Sequence, residues 1–161
     1  MSEPTIEPTR VTAVVVAAAA GALGIGSILA WWQGLGHALP IPGFAAWASM
    51  LLIAVAALYL AVRTRRTLSE DPAALDPRQA VIRLLLGKTS LLAGAFLAGG
   101  YVALVLLAVP ALPAPLAIER LVHGGIAAIA GVLCAVAGRR LENACRIPPP
   151  SGDSDANTPA R

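Results

Sequence analysis

Gly87-Lys88-Thr89-Ser90 is the stretch of this sequence that most resembles catalytic machinery. It matches the end of a phosphate-binding loop, in which a lysine reaches the phosphates and a hydroxyl holds the metal. The full motif needs a further glycine five residues before the second one and a strand ahead of it. That position is Ile82, and the surrounding pattern is helical, so nucleotide binding is rejected. Gly21, Gly24 and Gly26 imitate a dinucleotide fingerprint only superficially, because no strand precedes them.

Two other groups could do chemistry. His37, Glu119, Arg120 and His123 could form a polar cluster or a pH-sensitive site, since histidine titrates near neutrality. Solvated residues at an interface are the simpler reading. Cys134 and Cys145 lack a CxxC or a His-rich neighbour, so neither a metal site nor a disulfide is expected. Cys134 reads as a small packing residue. No catalytic, cofactor-binding or metal-ligating set emerges; the expectation is no cofactor and no enzymatic activity.

The elements that carry these residues are membrane-like. The chain is 57% hydrophobic and only 13% charged, against about 45–50% and about 25% in soluble domains. A surface facing water needs more charge than this; a surface facing lipid does not. Four apolar runs stand out: Val11 to about Trp32, about Phe44 to Val62, Thr89 to Val109 with a helix start near Pro77, and about Leu121 to Gly138. Each can cross a hydrocarbon core about 30 Å thick, which takes about 20 residues of helix. The segment before the first run carries Glu3 and Glu7 against Arg10, unlike a signal peptide, so the run reads as a retained helix.

Pro40 and Pro42 separate the first two runs, and Pro110, Pro113 and Pro115 the last two. Proline ends helices because it lacks an N–H and clashes with the preceding turn. The expectation is an all-α, integral membrane four-transmembrane-helix bundle of two outer hairpins joined by a cytoplasmic loop. Its helices span about 11–33, 43–66, 77–109 and 116–143, between a cytoplasmic segment 1–10 and a disordered cytoplasmic tail 147–161.

Every one of the 12 basic residues except Arg120 falls on one side of this topology. Cytoplasmic loops carry the excess Lys and Arg, which places both termini inside, in a bacterial plasma membrane. Trp31, Trp32 and Trp47 fall at the outer helix ends and read as outer interface anchors, where the indole ring is apolar and its N–H stays wet. The high proportion of arginine is thus a topology signal, and nucleic acid is not an expected partner.

Small residues recur four apart: Ala18, Ala22, Gly26; Ser90, Gly94, Ala98; Ala127, Gly131, Ala135. Such faces let helix backbones approach closely in lipid. The expectation is interior packing, with a homo-oligomer seam as the alternative. Tyr101 lies inside the third run, where its hydroxyl needs a partner. Asp76, Pro77 and Gln79 fit the N-cap, first-turn and reciprocal capping places of the third helix. Arg83 and Lys88 in its first turns read as snorkelling toward headgroups, or, for Lys88, as a charge paired inside the bundle.

Leu75 to Tyr101, LDPRQAVIRLLLGKTSLLAGAFLAGGY, and Arg140 to Pro148, RLENACRIP, together resemble the actinobacterial domain-of-unknown-function family 3180. The matched order runs from the first helix to Pro148; a glycine precedes Lys88 where the family often has alanine. The resemblance implies a small four-helix membrane protein without an assigned activity. It nominates Asp76, Arg83, Lys88, Glu142, Cys145 and Arg146 as a cytoplasmic-face constellation for interaction, while local pairing of Arg139 and Arg140 with Glu142 is the structural alternative. The leading functional expectation is a non-enzymatic scaffold or modulator of a membrane or cytoplasmic protein partner. A small transporter or channel subunit comes second, and a membrane enzyme third.

Overall fold

The computed structural model describes residues 9–70, 77–112 and 114–144, without the side chains at 67–70, 77, 78 and 80. Asp76, Cys145, Arg146 and the tail from Ile147 lie outside the described residues. Four helices follow one another: α1 (Val11–Gly34), α2 (Phe44–Glu70), α3 (Pro77–Ala108) and α4 (Pro115–Ala144). A short 3-10 turn, Val109–Ala111, closes α3, and the described residues contain no strand. All four helices are long and apolar enough to cross a membrane. At 1.5 Å per residue, the 32 residues of α3 reach about 48 Å.

Local chemistry explains the helix ends. α1 stops at Gly36, whose φ of +82° suits a residue without a Cβ. The Gly36 N–H donates to the Gln33 carbonyl and the His37 N–H to the Trp32 carbonyl, at 3.0 and 3.3 Å. This is the Schellman pattern that satisfies the last carbonyls of a helix. The side chains complete it: the Trp32 and His37 rings lie 4.6 Å apart. α4 opens on Pro115, whose missing N–H has no helical partner to lose.

Packing does not follow chain order. α3 and α4 form the central pair; α1 packs on α3, and α2 packs on α4 and brushes α3. Half of the apolar window of α4 is buried, against 11% of that of α1, which marks α4 as central and α1 as a flank. α1 and α2 do not touch. The first pair of helices therefore departs from the expected packed hairpin, although α3 and α4 do pack on each other. Connection 35–43 passes the end of α3, where Leu39 joins Leu29 and Leu104 in a buried cluster.

The interior is built from small side chains. Ala57, Ala61, Ala108, Ala117, Ala127 and Ala130 are buried, while Leu23, Leu52, Ile129 and Leu106 are exposed. A Cβ placed on Gly94 would lie 2.6 Å from the Ala135 amide nitrogen, and one on Gly138 2.5 Å from that of Leu91. In the α1–α3 seam the approach is closer still. A Cβ on Gly21 would overlap the Phe96 carbonyl oxygen, and one on Gly99 that of Ala18. These seams are backbone against backbone, the arrangement small residues permit between helices in lipid.

Candidate functional site at the basic end of the bundle

Two contacts draw the charged ends of the helices together, and a third, within α3, steadies one of them. On α3, Arg83 Nη1 donates to Thr64 Oγ1 of α2 at 3.0 Å. Arg83 Nη2 donates to Gln79 Oε1, one turn earlier, at 3.3 Å. The Thr9 N–H, just ahead of α1, donates to Glu142 Oε1 of α4 at 2.8 Å. The start of α3 meets the end of α4 at Gly87, where an added Cβ would lie 2.9 Å from the Glu142 nitrogen and 3.0 Å from the Gly138 carbonyl oxygen. The start of α1, the end of α2, the start of α3 and the end of α4 thus share one end of the bundle. Arg10, Arg63, Arg65, Arg66, Arg83, Lys88, Arg139 and Arg140 all belong to it.

Two polar residues at this end are almost wholly buried: Thr64, 0% exposed, and Glu142, 2% exposed. A buried polar group is costly unless it is hydrogen-bonded. Thr64 answers by accepting from a guanidinium, a charge-assisted bond stronger than one between neutral groups. Glu142 answers with an amide from a segment 133 positions away in the chain. These contacts tie α2 to α3 and the N-terminal segment to α4. Of the residues expected to form an interaction face, Arg83 and Glu142 are therefore occupied in helix-to-helix ties. Lys88 is half-buried and has a partner. Asp76 and Arg146 lie outside the described residues.

Gly87-Lys88-Thr89-Ser90, rejected above as a nucleotide-binding loop, lies in the packed start of α3, where the sequence reading named Ser90 but overlooked Gly87. Gly87 admits α4, and Thr89 Oγ1 donates back to the Leu85 carbonyl at 3.0 Å. Ser90 is buried, and its carbonyl lies 3.8 Å from Cys134 Sγ. Ser90, Gly94 and Ala98 line α3 where Gly131, Cys134 and Ala135 line α4, and Ala127 is fully buried. Ala18, Ala22 and Gly26 are half-buried on α1. Thr9, Thr64, Gly21 and Gly99 escaped the sequence reading. Thr64 sits inside an arginine-rich run that reads as solvated, and Gly21 and Gly99 fall outside the four-residue triplets considered.

The opposite end holds the three tryptophans, Phe44 and both histidines. Trp31 and Trp32 are exposed. Trp47 packs edge-on against Phe44, with ring centroids 4.6 Å apart. His37 belongs to the α1 cap, and His123 Nδ1 lies 3.1 Å from the Glu119 carbonyl of its own helix. Glu119 is exposed and Arg120 half-buried. Trp47 Nε1 and Arg120 Nε are buried without a hydrogen-bond partner among the described residues. Tyr101 is half-buried. Among the described residues, no three or more His, Cys, Asp or Glu side chains gather as a metal site requires.

A family model described as protein of unknown function (DUF3180) matches residues 11–149, and the chain belongs to that family. No curated protein and no solved structure matches it.

Proposed function

We propose that this DUF3180 protein is a four-pass membrane protein with both ends in the cytoplasm, acting as a non-enzymatic scaffold or modulator whose basic end engages a protein partner. The observation that carries the membrane reading is the inverted distribution of side chains. Alanine and glycine make up most of the interior, with a few leucines such as Leu91 and Leu141 among them, while most of the leucine, valine and isoleucine covers the outside. In water that surface would be an aggregation liability; in lipid it is the natural exterior. The exposed hydroxyls agree, since Ser27, Ser49 and Thr89 donate to carbonyls of their own helices. A hydroxyl in hydrocarbon has no water to turn to.

The partner reading rests on the shape of the basic end. Arg83–Thr64 and Thr9–Glu142 hold three of its helices and the N-terminal segment in a fixed arrangement. Around these ties Arg65, Arg139 and Arg140 are exposed. A rigid cationic face suits recognition of an acidic surface, because complementary charge steers and orients association. Its polar residues are committed to structure, which favours docking over chemistry.

Reporter fusions at Gln33, Leu68, Leu112 and the C-terminus test the topology and should read out, in, out and in. A periplasmic C-terminus overturns it. Cross-linking of intact membranes followed by partner identification tests the scaffold role. A reproducible acidic partner lost on exchanging Arg65 and Arg139 for glutamate supports that role; no reproducible partner counts against it.

A further inference from the structure

The contact between α2 and α4 does not close. A groove of about 300 Å³ runs along it, lined by residues that include Val55, Leu58, Leu133, Val136, Ala137 and Arg140. Its volume is at the lower end of the roughly 300–1,000 Å³ of ligand-binding cavities. The groove has a simple origin. α2 and α4 run in the same direction and meet through alanines, including Ala57, Ala61 and Ala137. The larger side chains on either side therefore stand as walls with a shallow floor between them.

We propose that this groove holds one acyl chain of an inner-leaflet anionic phospholipid whose phosphate sits on Arg140. The inference rests on the membrane reading above. The wall is apolar throughout except at its basic end, where Arg140 supplies a guanidinium. From Leu133 to Arg140 is two helical turns, about 10 Å, which fits within one leaflet of roughly 15 Å, half the hydrocarbon core. Arg140 is exposed and has no hydrogen-bond or ion-pair partner among the described residues. A guanidinium presents its donors as a planar fork that matches two oxygens of a phosphate. The cytoplasmic leaflet is the one that carries anionic lipid.

The dimensions choose among occupants. A helix with its side chains is about 10 Å across, too wide to enter a cleft of this volume, whereas a single alkyl chain fits. Neither a helix nor a second copy of the chain would by itself satisfy the cation at the groove's end. A lipid supplies both the chain and the phosphate.

Native mass spectrometry of the detergent-purified full chain, titrated with phosphatidylglycerol or phosphatidylcholine, tests the proposal. One phosphatidylglycerol should remain bound in preference to phosphatidylcholine. Arg140→Gln should weaken that retention roughly fivefold, the effect of about one cation at an anionic headgroup. Arg139→Gln, on the next residue but away from the groove, should leave it unchanged. Val136→Trp should fill the groove and abolish retention while circular dichroism shows the helices intact; all three substituted positions are exposed, so the fold should tolerate the changes. Equal effects of the two arginine variants, or full retention in Val136→Trp, overturn the proposal. So does a dimer that Val136→Trp converts to monomer, which would make a second copy the occupant. Failure of the chain to partition with membranes would instead sink the membrane reading on which the proposal rests.

Discussion

The α3–α4 and α2–α4 interfaces share one helix and differ in what fills them. Between α3 and α4, Gly94, Gly131 and Gly138 bring backbones so close that an added Cβ would meet main-chain atoms within 3.0 Å. The α1–α3 seam is built in the same way around Gly21 and Gly99. Between α2 and α4 the contacts are mostly alanine methyl groups, with Cys134 and Leu141 beside them, and a groove remains. Rigidity and room for recognition therefore reside in different seams. A glycine seam gains dispersion contacts along its whole length and leaves no room to shift. An alanine seam spaces its helices by one methyl group per contact, which leaves volume that another molecule can use.

The strongest way to break this contrast is to add a methyl group to the glycine seams. Gly99→Ala and Gly21→Ala force a Cβ into a carbonyl of the neighbouring helix and should destabilise the bundle by about 1–3 kcal/mol, the usual cost of overpacking. Thermal unfolding followed by circular dichroism in detergent reads this directly. Unchanged melting of both variants would mean that the helices separate easily there, and the seam would lose its special status.

Next in size is Glu142→Ala, which strips the buried acceptor from the Thr9 amide. An orphaned buried donor costs about 1–3 kcal/mol, and part of that cost escapes through release of the N-terminal segment. The expected signature is local: faster hydrogen exchange at Thr9, with the α3 core still protected. Glu142→Gln keeps an oxygen in place and should retain most of the protection. Equal exchange in both variants and the parent would show that this tie does not hold the segment.

The polar link that helps dock α2 should contribute less. A double-mutant cycle of Thr64→Val and Arg83→Ala should return a coupling of about 0.5–1.5 kcal/mol. A coupling near zero would leave α2 held by its alanines alone and sharpen the contrast with α1. The smallest effect belongs to Gly24→Ala. Nothing lies within 4 Å of a Cβ at that position, so the substitution should be neutral or gain up to about 1 kcal/mol through helix propensity. Of Gly24→Ala and Gly21→Ala, three residues apart on one helix, only the second should therefore lower the melting temperature.

Local periodicity and composition made part of this molecule legible in its sequence. The apolar runs are visible because each is a nearly unbroken stretch of apolar residues, long enough on its own to be read without its neighbours. The stop of α1 at Gly36 and the start of α4 at Pro115 are visible because only particular residues suit those backbone positions. The gathering of Arg83 and Glu142 at one end could be anticipated, because basic residues cluster in connections that share a side. Their partners could not. Thr64 looks like one more solvated residue among arginines, and Thr9 looks like a peptide linker. A hydrogen bond between residues 133 positions apart leaves no periodic trace in either segment.

Helix order was the larger matter left to tertiary structure. Short connections suggest that consecutive helices pack together, yet α1 and α2 flank the α3–α4 pair without touching. Connection length limits how far apart two helix ends can be; it does not choose the neighbours. That choice depends on which faces fit at backbone distance, and glycines such as Gly21 and Gly99 reveal their role only when the opposing carbonyl is in place. The sequence by itself determined four long apolar helices and the sharing of one end by the basic residues, because both are properties of single segments. Only the tertiary structure decided that α4 is central, that Glu142 is buried and that α2 leaves a groove, because each depends on the fit between two segments at once.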